Sequence, residues 1–271
     1  DTRIVEPPSG PPRSGWVQPC TASNGGHRAH LCLPRPGPPH GRGRPRVQRW
    51  QLAQHGGIVL AEQQTAGGGR RGNVWHAPRS KNIYCSIGLN KALDAHFLGL
   101  LSLQVGICIA QVLREQGFDG VELKWPNDIL LDAKKLGGIL IETRALSPGT
   151  FFLVIGFGLN LHLDESALQS INQPAISLSQ YSTSVIKRQL LLAEIISRII
   201  NRILQFDLHR IDALLVEFNQ YDSLHGLPVV VKSAGLEGSG VHLGIERTGQ
   251  IKVRTDRGVE LFSAAEISLR R

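Results

Sequence analysis

A chain of 271 residues, 41% of them hydrophobic, is long enough for one large domain or two modest ones and supports a real core. No run approaches the roughly 18 consecutive apolar residues that a spanning helix needs, and no Lys/Arg-then-apolar start resembles a secretory signal, so neither a membrane nor a secreted class is expected. The formal net charge of +8 suggests a nucleic-acid binder until it is localised: residues 1–50 hold eight arginines against Asp1 and Glu6, a net of +6, so the body of the chain is nearly neutral.

Residues 1–47 carry ten of the fifteen prolines, no lysine, and runs such as Pro34–Arg35–Pro36–Gly37–Pro38–Pro39. This composition cannot bury enough apolar surface to offset ordering entropy, so a disordered segment is expected. Its Arg/Pro/Gly bias is also what out-of-frame translation of GC-rich coding sequence produces. The absence of methionine is expected of a fragment or of a chain without its natural start. The four cysteines, Cys20, Cys32, Cys85 and Cys108, have neither zinc-site nor Cys-x-x-Cys spacing. They read as reduced thiols of a cytoplasmic protein.

The composition changes at Val47. A short helix is expected over Val47–Gln54, then a strand at Ile58–Glu62. The strand feeds Thr65–Ala66–Gly67–Gly68–Gly69–Arg70–Arg71–Gly72. Four glycines strip the loop of side chains and let backbone N–H groups approach a ligand. Arg70 and Arg71 add forked donors suited to phosphate or carboxylate. A flexible surface loop with solvated arginines is the plain alternative.

A strand is expected at Ile83–Leu89. Leu100, Leu103, Ile107, Ala110 and Leu113 recur at helical spacing within Phe97–Gln116 and predict a buried helix stopped by Gly117. Val121–Trp125 and Ile129–Asp132 read as strands, joined by Pro126–Asn127–Asp128. Proline bars Trp125 from helix, and Asn127 and Asp128 suit turn hydrogen bonds. Asp128 is also a candidate Mg²⁺ ligand, since that ion takes one or two carboxylates plus phosphate oxygens. A turn at Ala133–Lys134 puts Lys135 at a hairpin tip, ahead of the strand Leu136–Thr143. Gly137 and Gly138 would let a ligand lie where the lysine emerges, so that Lys135 could neutralise a developing anion.

Phe151–Leu161 is an apolar strand whose Gly156 and Gly158 suggest close approach of a flat ligand, with Asn160 as donor and acceptor. Helices are expected at Lys187–Gln205 and His209–Tyr221. Pro228–Lys232, Gly238–Ile245, Gln250–Arg254 and Gly258–Phe262 read as short strands of a small barrel. The expected division is 1–47, 48–221 and 222–271.

Four motifs in order carry a resemblance: Gln64-Thr-Ala-Gly-Gly-Gly-Arg-Arg-Gly72 with Trp75, Lys124-Trp-Pro-Asn-Asp128, Lys135-Leu-Gly-Gly-Ile-Leu140, and Val154-Ile-Gly-Phe-Gly-Leu-Asn160. The chain from about residue 55 onward resembles the biotin–protein ligase family. The ending Glu266-Ile-Ser-Leu-Arg270 resembles that family's C-terminal barrel.

The resemblance implies an α/β (α+β) fold: a mixed sheet flanked by helices, related to class II tRNA synthetase catalytic domains, with a small SH3-like β-barrel. It implies ATP, biotin and Mg²⁺ as reaction components. The implied partner is the biotin carboxyl carrier domain of acetyl-CoA carboxylase or a related carboxylase, and the enzyme is expected as a monomer or homodimer. Lys135 and Arg70 are the implied catalytic pair. Gln64, Gly68, Gly69, Arg70, Lys135, Gly138, Leu140 and Gly158 are implied for biotin. Arg70, Arg71, Trp75, Asn127, Asn160 and Arg270 are implied for ATP and the adenylate.

No winged helix-turn-helix is legible, so no DNA-binding role is expected. The family's acidic-Ser/Thr-Thr-Asn segment, whose polar groups bind the ureido ring, is missing from the window Gly41–Val47. The faint match Thr21-Ala-Ser-Asn24 lies forty residues from Gln64. Gly68 stands where the family commonly has arginine. Weak biotin binding is therefore expected. A lipoate or octanoyl ligase on the same scaffold and a catalytically impaired binding paralogue are the alternatives.

Overall fold

The structure is a computed structural model that describes residues 2–5, 57–61, 82–164, 168, 171, 173–181, 185–233, 236–263 and 268–270. Strands β1 (Thr2–Val5), β2 (Ile58–Ala61), β3 (Ile83–Ala92), β4 (Val121–Lys124), β5 (Asp128–Leu131), β6 (Lys134–Ser147) and β7 (Thr150–Leu159) form one sheet, ordered β1-β2-β3-β7-β6-β5-β4. The expected mixed sheet is corrected: every neighbouring pair is antiparallel. Three of the six pairs, β4-β5, β5-β6 and β6-β7, are local hairpins, which need only short turns, whereas parallel neighbours need a long crossover. The pairing of Thr2–Val5 with β2, Thr2 opposite Ala61, departs from the disordered reading of that end. Thr2, Ile4 and Val5, the β-branched residues of the leader's start, thereby join the sheet edge, a setting that suits such residues. Residues 6–56, including the expected Val47–Gln54 helix, lie outside the described residues.

The helix predicted over Phe97–Gln116 is α1 (Leu98–Glu115). Asp94 accepts from the His96 N–H at 2.9 Å and caps the short 3-10 turn that leads into it. Gly117 ends it at φ 89°, with its own N–H bonded to the Arg114 carbonyl and that of Phe118 reaching the Leu113 carbonyl. That is a glycine C-cap, in which a left-handed residue lets following amides satisfy the last carbonyls. By length and composition α1 could cross a membrane, contrary to the reading of the sequence. It is instead the core helix, with twelve of its eighteen residues buried. Gly106 lets it approach the sheet closely: a Cβ there would sit 3.2 Å from Leu123 Cδ1 and 3.6 Å from Ile139 Cδ1.

Helix α2 is the single turn Leu178–Tyr181. Helices α3 (Arg188–Leu204) and α4 (Ile211–Asn219) pack against α1. On α3, Leu191, Ile195, Ile199 and Ile203 recur every fourth residue and are buried. Lys91 closes its C-terminus, donating to the carbonyls of Leu204 (2.9 Å) and Phe206 (3.2 Å). The core lies between these helices and one face of the sheet, from which Ile87, Ile129, Ile139, Ile155 and Leu159 project.

The C-terminal strands are β8 (Pro228–Ser233), β9 (Leu236–Ile245), β10 (Ile251–Thr255), β11 (Gly258–Phe262) and β12 (Ser268–Arg270), ordered β11-β10-β9-β8-β12. The expected closed barrel is corrected to an open sheet. β11 and β12 stand at opposite edges, and no pairing joins them among the described residues. Closure would demand strand stagger around a full circle, and the three-residue β12 pairs only with β8.

Candidate active site

Residues opposite one another in an antiparallel pair share a face. The registers place Tyr84 opposite Gly158, Gly158 opposite Gly138, Gly138 opposite Asp128, and Asp128 opposite Lys124. This row crosses five strands on the face turned away from α1. Two residues along, Ser86, Gly156 and Leu140 form a parallel row. Three glycines, Gly156 and Gly158 buried and Gly138 half-buried, thus leave a strip without side chains between Tyr84 and Ser86 on one side and Asp128 and Lys124 on the other. Phe152 and Val154 continue the same face as a small buried cluster separate from the main core.

Lys135 stands within β6, not at a hairpin tip. The turn is formed by Asp132 and Ala133, at φ 49° and 60°. Both residues are left-handed, as a tight two-residue hairpin requires, although alanine is an unusual choice there. A bulge follows: Ile129 faces Gly137, but Leu130 faces Lys135. The extra residue shifts the alternation, burying Leu136 and bringing Lys135 onto the glycine-strip face. Its ammonium lies 2.7 Å from Asp128 Oδ1, with both side chains about one-fifth exposed (19% and 22%). The Lys135 backbone is pinned as well, by its N–H to the Pro174 carbonyl (2.9 Å) and by the Ile176 N–H to its own carbonyl (3.0 Å).

The Lys124–Asp128 turn is held from three directions. Asn127 donates through Nδ2 to the Ile139 carbonyl at 2.8 Å and accepts at its own carbonyl from the Ile139 N–H at 2.9 Å. Ser102 on α1 donates to the Pro126 carbonyl at 3.0 Å. Trp125, 3% exposed, donates its indole N–H to the Gly249 carbonyl at 3.0 Å. The Trp125–Pro126 peptide is cis. The indole bond ties the turn to the loop between β9 and β10, which itself abuts α1: a Cβ on Gly249 would sit 3.0 Å from the Gly99 carbonyl carbon. Trp125→Phe keeps an aromatic ring but removes the pyrrole half and its donor, leaving the buried Gly249 carbonyl unsatisfied. A loss of about 1–3 kcal/mol is expected, read as a lower urea midpoint at unchanged slope.

Asn160 is buried, its Nδ2 donating to the Ile176 carbonyl at 3.3 Å and its N–H to the Leu136 carbonyl at 2.9 Å. It braces the backbone around Lys135. Arg270 lies in β12, opposite Val230. Gln64, Gly68, Gly69, Arg70, Arg71 and Trp75 lie outside the described residues. The structure therefore brings together Lys135, Gly138, Leu140, Gly158, Asn127 and Asp128.

Tyr84 and Ser86 were missed by the reading of the sequence. Their signal was period-2 polarity within Ile83–Leu89, which the apolar run obscured. Burial pushes the Tyr84 phenol up to about 12, while the Asn82 amide donating to its oxygen at 3.0 Å pulls the other way. It is thus neutral at physiological pH. Cys85 and Cys108 are free and buried, and burial raises both thiols, Cys108 to about 12. Neither is a thiolate nucleophile at neutral pH.

Oδ1 of Asp128, the candidate Mg²⁺ ligand, is engaged by the Lys135 ammonium at 2.7 Å. Glu142, opposite Val154, and Glu122, opposite Leu130, lie on the same face of the sheet. Mg²⁺ prefers carboxylates together with phosphate oxygens in octahedral array.

Residues 46–160 match the model of the biotin/lipoate A/B protein ligase family. The chain is 32% identical over 215 residues to the bifunctional ligase/repressor BirA of Salmonella typhimurium, covering 79% of this chain and 67% of that protein. It is 26% identical over 218 residues to the biotin--[acetyl-CoA-carboxylase] ligase of Paracoccus denitrificans, covering 77% and 88%. Among solved structures it is similar to the biotin protein ligase of Aquifex aeolicus in complex with biotin and ATP. That likeness has a TM-score of 0.65 at 25% identity, covering 79% of this chain and 88% of that one.

Proposed function

The chain belongs to the biotin protein ligase family, and on that premise we propose that it joins biotin to protein in two steps. The biotin carboxylate attacks the α-phosphorus of ATP, forming a new P–O bond and expelling pyrophosphate, to give biotinyl-5′-AMP. The ε-amine of a carrier-domain lysine then attacks the carbonyl carbon of that anhydride. An amide forms, AMP leaves with the electron pair of the broken C–O bond, and the amine loses a proton.

The observation that carries this reading is the glycine strip ended by the Lys135–Asp128 pair. Gly138, Gly156 and Gly158 put no side chain between a flat bicyclic ligand and the sheet, with Leu140 beside it. Lys135 stands at the strip's end, where the ligand's carboxylate meets the phosphate. Both steps build negative charge on carboxyl and phosphoryl oxygens, so a fixed ammonium in a half-buried site lowers the barrier by electrostatic stabilisation and positioning. Asp128 holds that ammonium in place before substrate arrives. Mg²⁺ enters with the nucleotide as the ATP complex, and no step is routed through Asp128.

The acceptor is the biotin carboxyl carrier domain of a carboxylase. Gln64, the Gly68–Arg71 loop and Trp75 supply the remaining contacts to biotin and adenylate. The test is biotin-dependent exchange of labelled pyrophosphate into ATP, followed by transfer of labelled biotin to a carrier domain. Exchange that runs with lipoate or octanoate and not with biotin would overturn the choice of substrate. Because the polar segment for the ureido ring is missing, calorimetry is expected to give weaker biotin binding than in a ligase that has it. Each ligand group left unpaired costs about 1–3 kcal/mol. Equal affinity would mean that another segment makes those contacts.

A further inference from the structure

The connection from α4 to β8 places three metal-ligating side chains together. Asp222 follows α4 and is stitched to β4: the Leu123 N–H bonds the Tyr221 carbonyl at 2.7 Å, and the Ser223 N–H bonds the Leu123 carbonyl at 2.9 Å. Asp222 Oδ1 accepts from the Leu224 N–H at 3.1 Å, and Oδ2 lies 2.7 Å from His242 Nε2. Both of those side chains are fully buried. His225 stands in the exposed turn above them, its ring edge-on to that of His242, with centroids 6.0 Å apart. One ligand atom from each of Asp222, His225 and His242 falls within 4.8 Å of the other two. Gly244, at φ 106°, takes a left-handed conformation that favours glycine beside the His225 ring.

We propose that Asp222, His225 and His242 bind a divalent transition-metal ion of the zinc class. Two imidazoles and one carboxylate are borderline-soft nitrogen donors with one hard oxygen, a set that suits zinc and its first-row neighbours rather than Mg²⁺ or Ca²⁺. Tetrahedral ligands at roughly 2.0–2.2 Å from an ion stand about 3.4 Å apart, so the Asp222–His242 pair at 2.7 Å opens slightly and His225, within 4.8 Å, draws in. The exposed side at His225 supplies the entry path and leaves a fourth position to water.

The outer contacts of His242 fit the same role. A metal on Nε2 requires the proton on Nδ1, and a ligating imidazole ordinarily passes that proton to a carbonyl or carboxylate. Nδ1 lies 3.4 Å from the Lys252 carbonyl, ready to accept it, and 3.3 Å from the Gly244 N–H, which serves the other tautomer. The ring is therefore satisfied with or without the ion. Bound metal would clamp the α4–β8 connection to β9 and, through the Asp222 stitch, to β4, the strand that runs into Lys124–Trp125–Pro126–Asn127.

The test uses the full chain stripped with chelator and titrated with Zn²⁺ and, separately, Co²⁺. One ion per chain is expected, with visible d–d absorption for Co²⁺ and a rise in thermal midpoint on metal addition. His225 is exposed, so His225→Ala folds. It is expected to weaken Zn²⁺ binding by at least about tenfold, an effect seen even for outer-shell losses, and to abolish the Co²⁺ bands and the thermal shift. Asp222→Asn retains an acceptor for the Leu224 N–H and is expected to weaken binding similarly. His209→Ala, an exposed histidine on another element, should change nothing. A chain that binds no Zn²⁺, or that binds it equally well after His225→Ala, would overturn the site.

Discussion

Lys135→Ala lowers biotin-dependent pyrophosphate exchange by about 10–100-fold and leaves the fold intact. A hydrogen bond to a charged group is worth about 1.5–3 kcal/mol, and each 1.4 kcal/mol, roughly, is a decade in rate. The fold survives because Lys135 holds its place through its backbone, whose bonds to Pro174 and Ile176 alanine keeps. The stranded Asp128 carboxylate still reaches water, at 22% exposure. Asp128→Asn should fall between the variant and the parent, because it frees the ammonium without removing it. An exchange rate unchanged in Lys135→Ala would take the lysine out of the chemistry, whatever the variant's stability.

The placing of Lys135 also marks where reading the sequence stopped. A lysine before Gly137 and Gly138 was recognisable as a ligand group. Its position within β6 was not, because two left-handed residues at Asp132–Ala133 have no glycine or asparagine to announce them. The bulge at Ile129/Leu130 has no residue signature either, yet it decides which face Lys135 serves.

Helices α1, α3 and α4 were legible from apolar period and from Gly117, because burial on one face imposes that period. The five C-terminal strands were mostly legible as strands. Whether a sheet closes depends on edge pairing between residues far apart in the chain, here β11 and β12, which local pattern does not encode. Gly138, Gly156 and Gly158 could be picked out singly. That they fall side by side with Tyr84 and Asp128 is a property of register across five strands.

Register separates two adjacent glycines that look alike in the sequence, and opposite outcomes are expected for them. Gly137 points to the α1 side. A Cβ there would lie 2.6 Å from both the Gly158 carbonyl oxygen and Leu159 Cδ2, with Ile129 Cδ1 at 3.5 Å. A backbone oxygen cannot step aside, so Gly137→Ala must push β6 from β7. Overpacking of this kind costs about 1–3 kcal/mol, visible as a lower thermal midpoint.

Gly138 faces the strip, half-buried between Asp128 and Gly158. Gly138→Val puts a β-branched residue into a strand, which favours the folded state, and sets its methyl groups where the ligand's rings would lie. Stability should hold or rise, while biotin affinity falls by about 100-fold or more, equivalent to roughly 2.7 kcal/mol. Calorimetry and thermal melts on the two variants read the contrast directly. If Gly138→Val bound biotin as well as the parent, the strip would not be the biotin slot, and the site would have to lie elsewhere on the face.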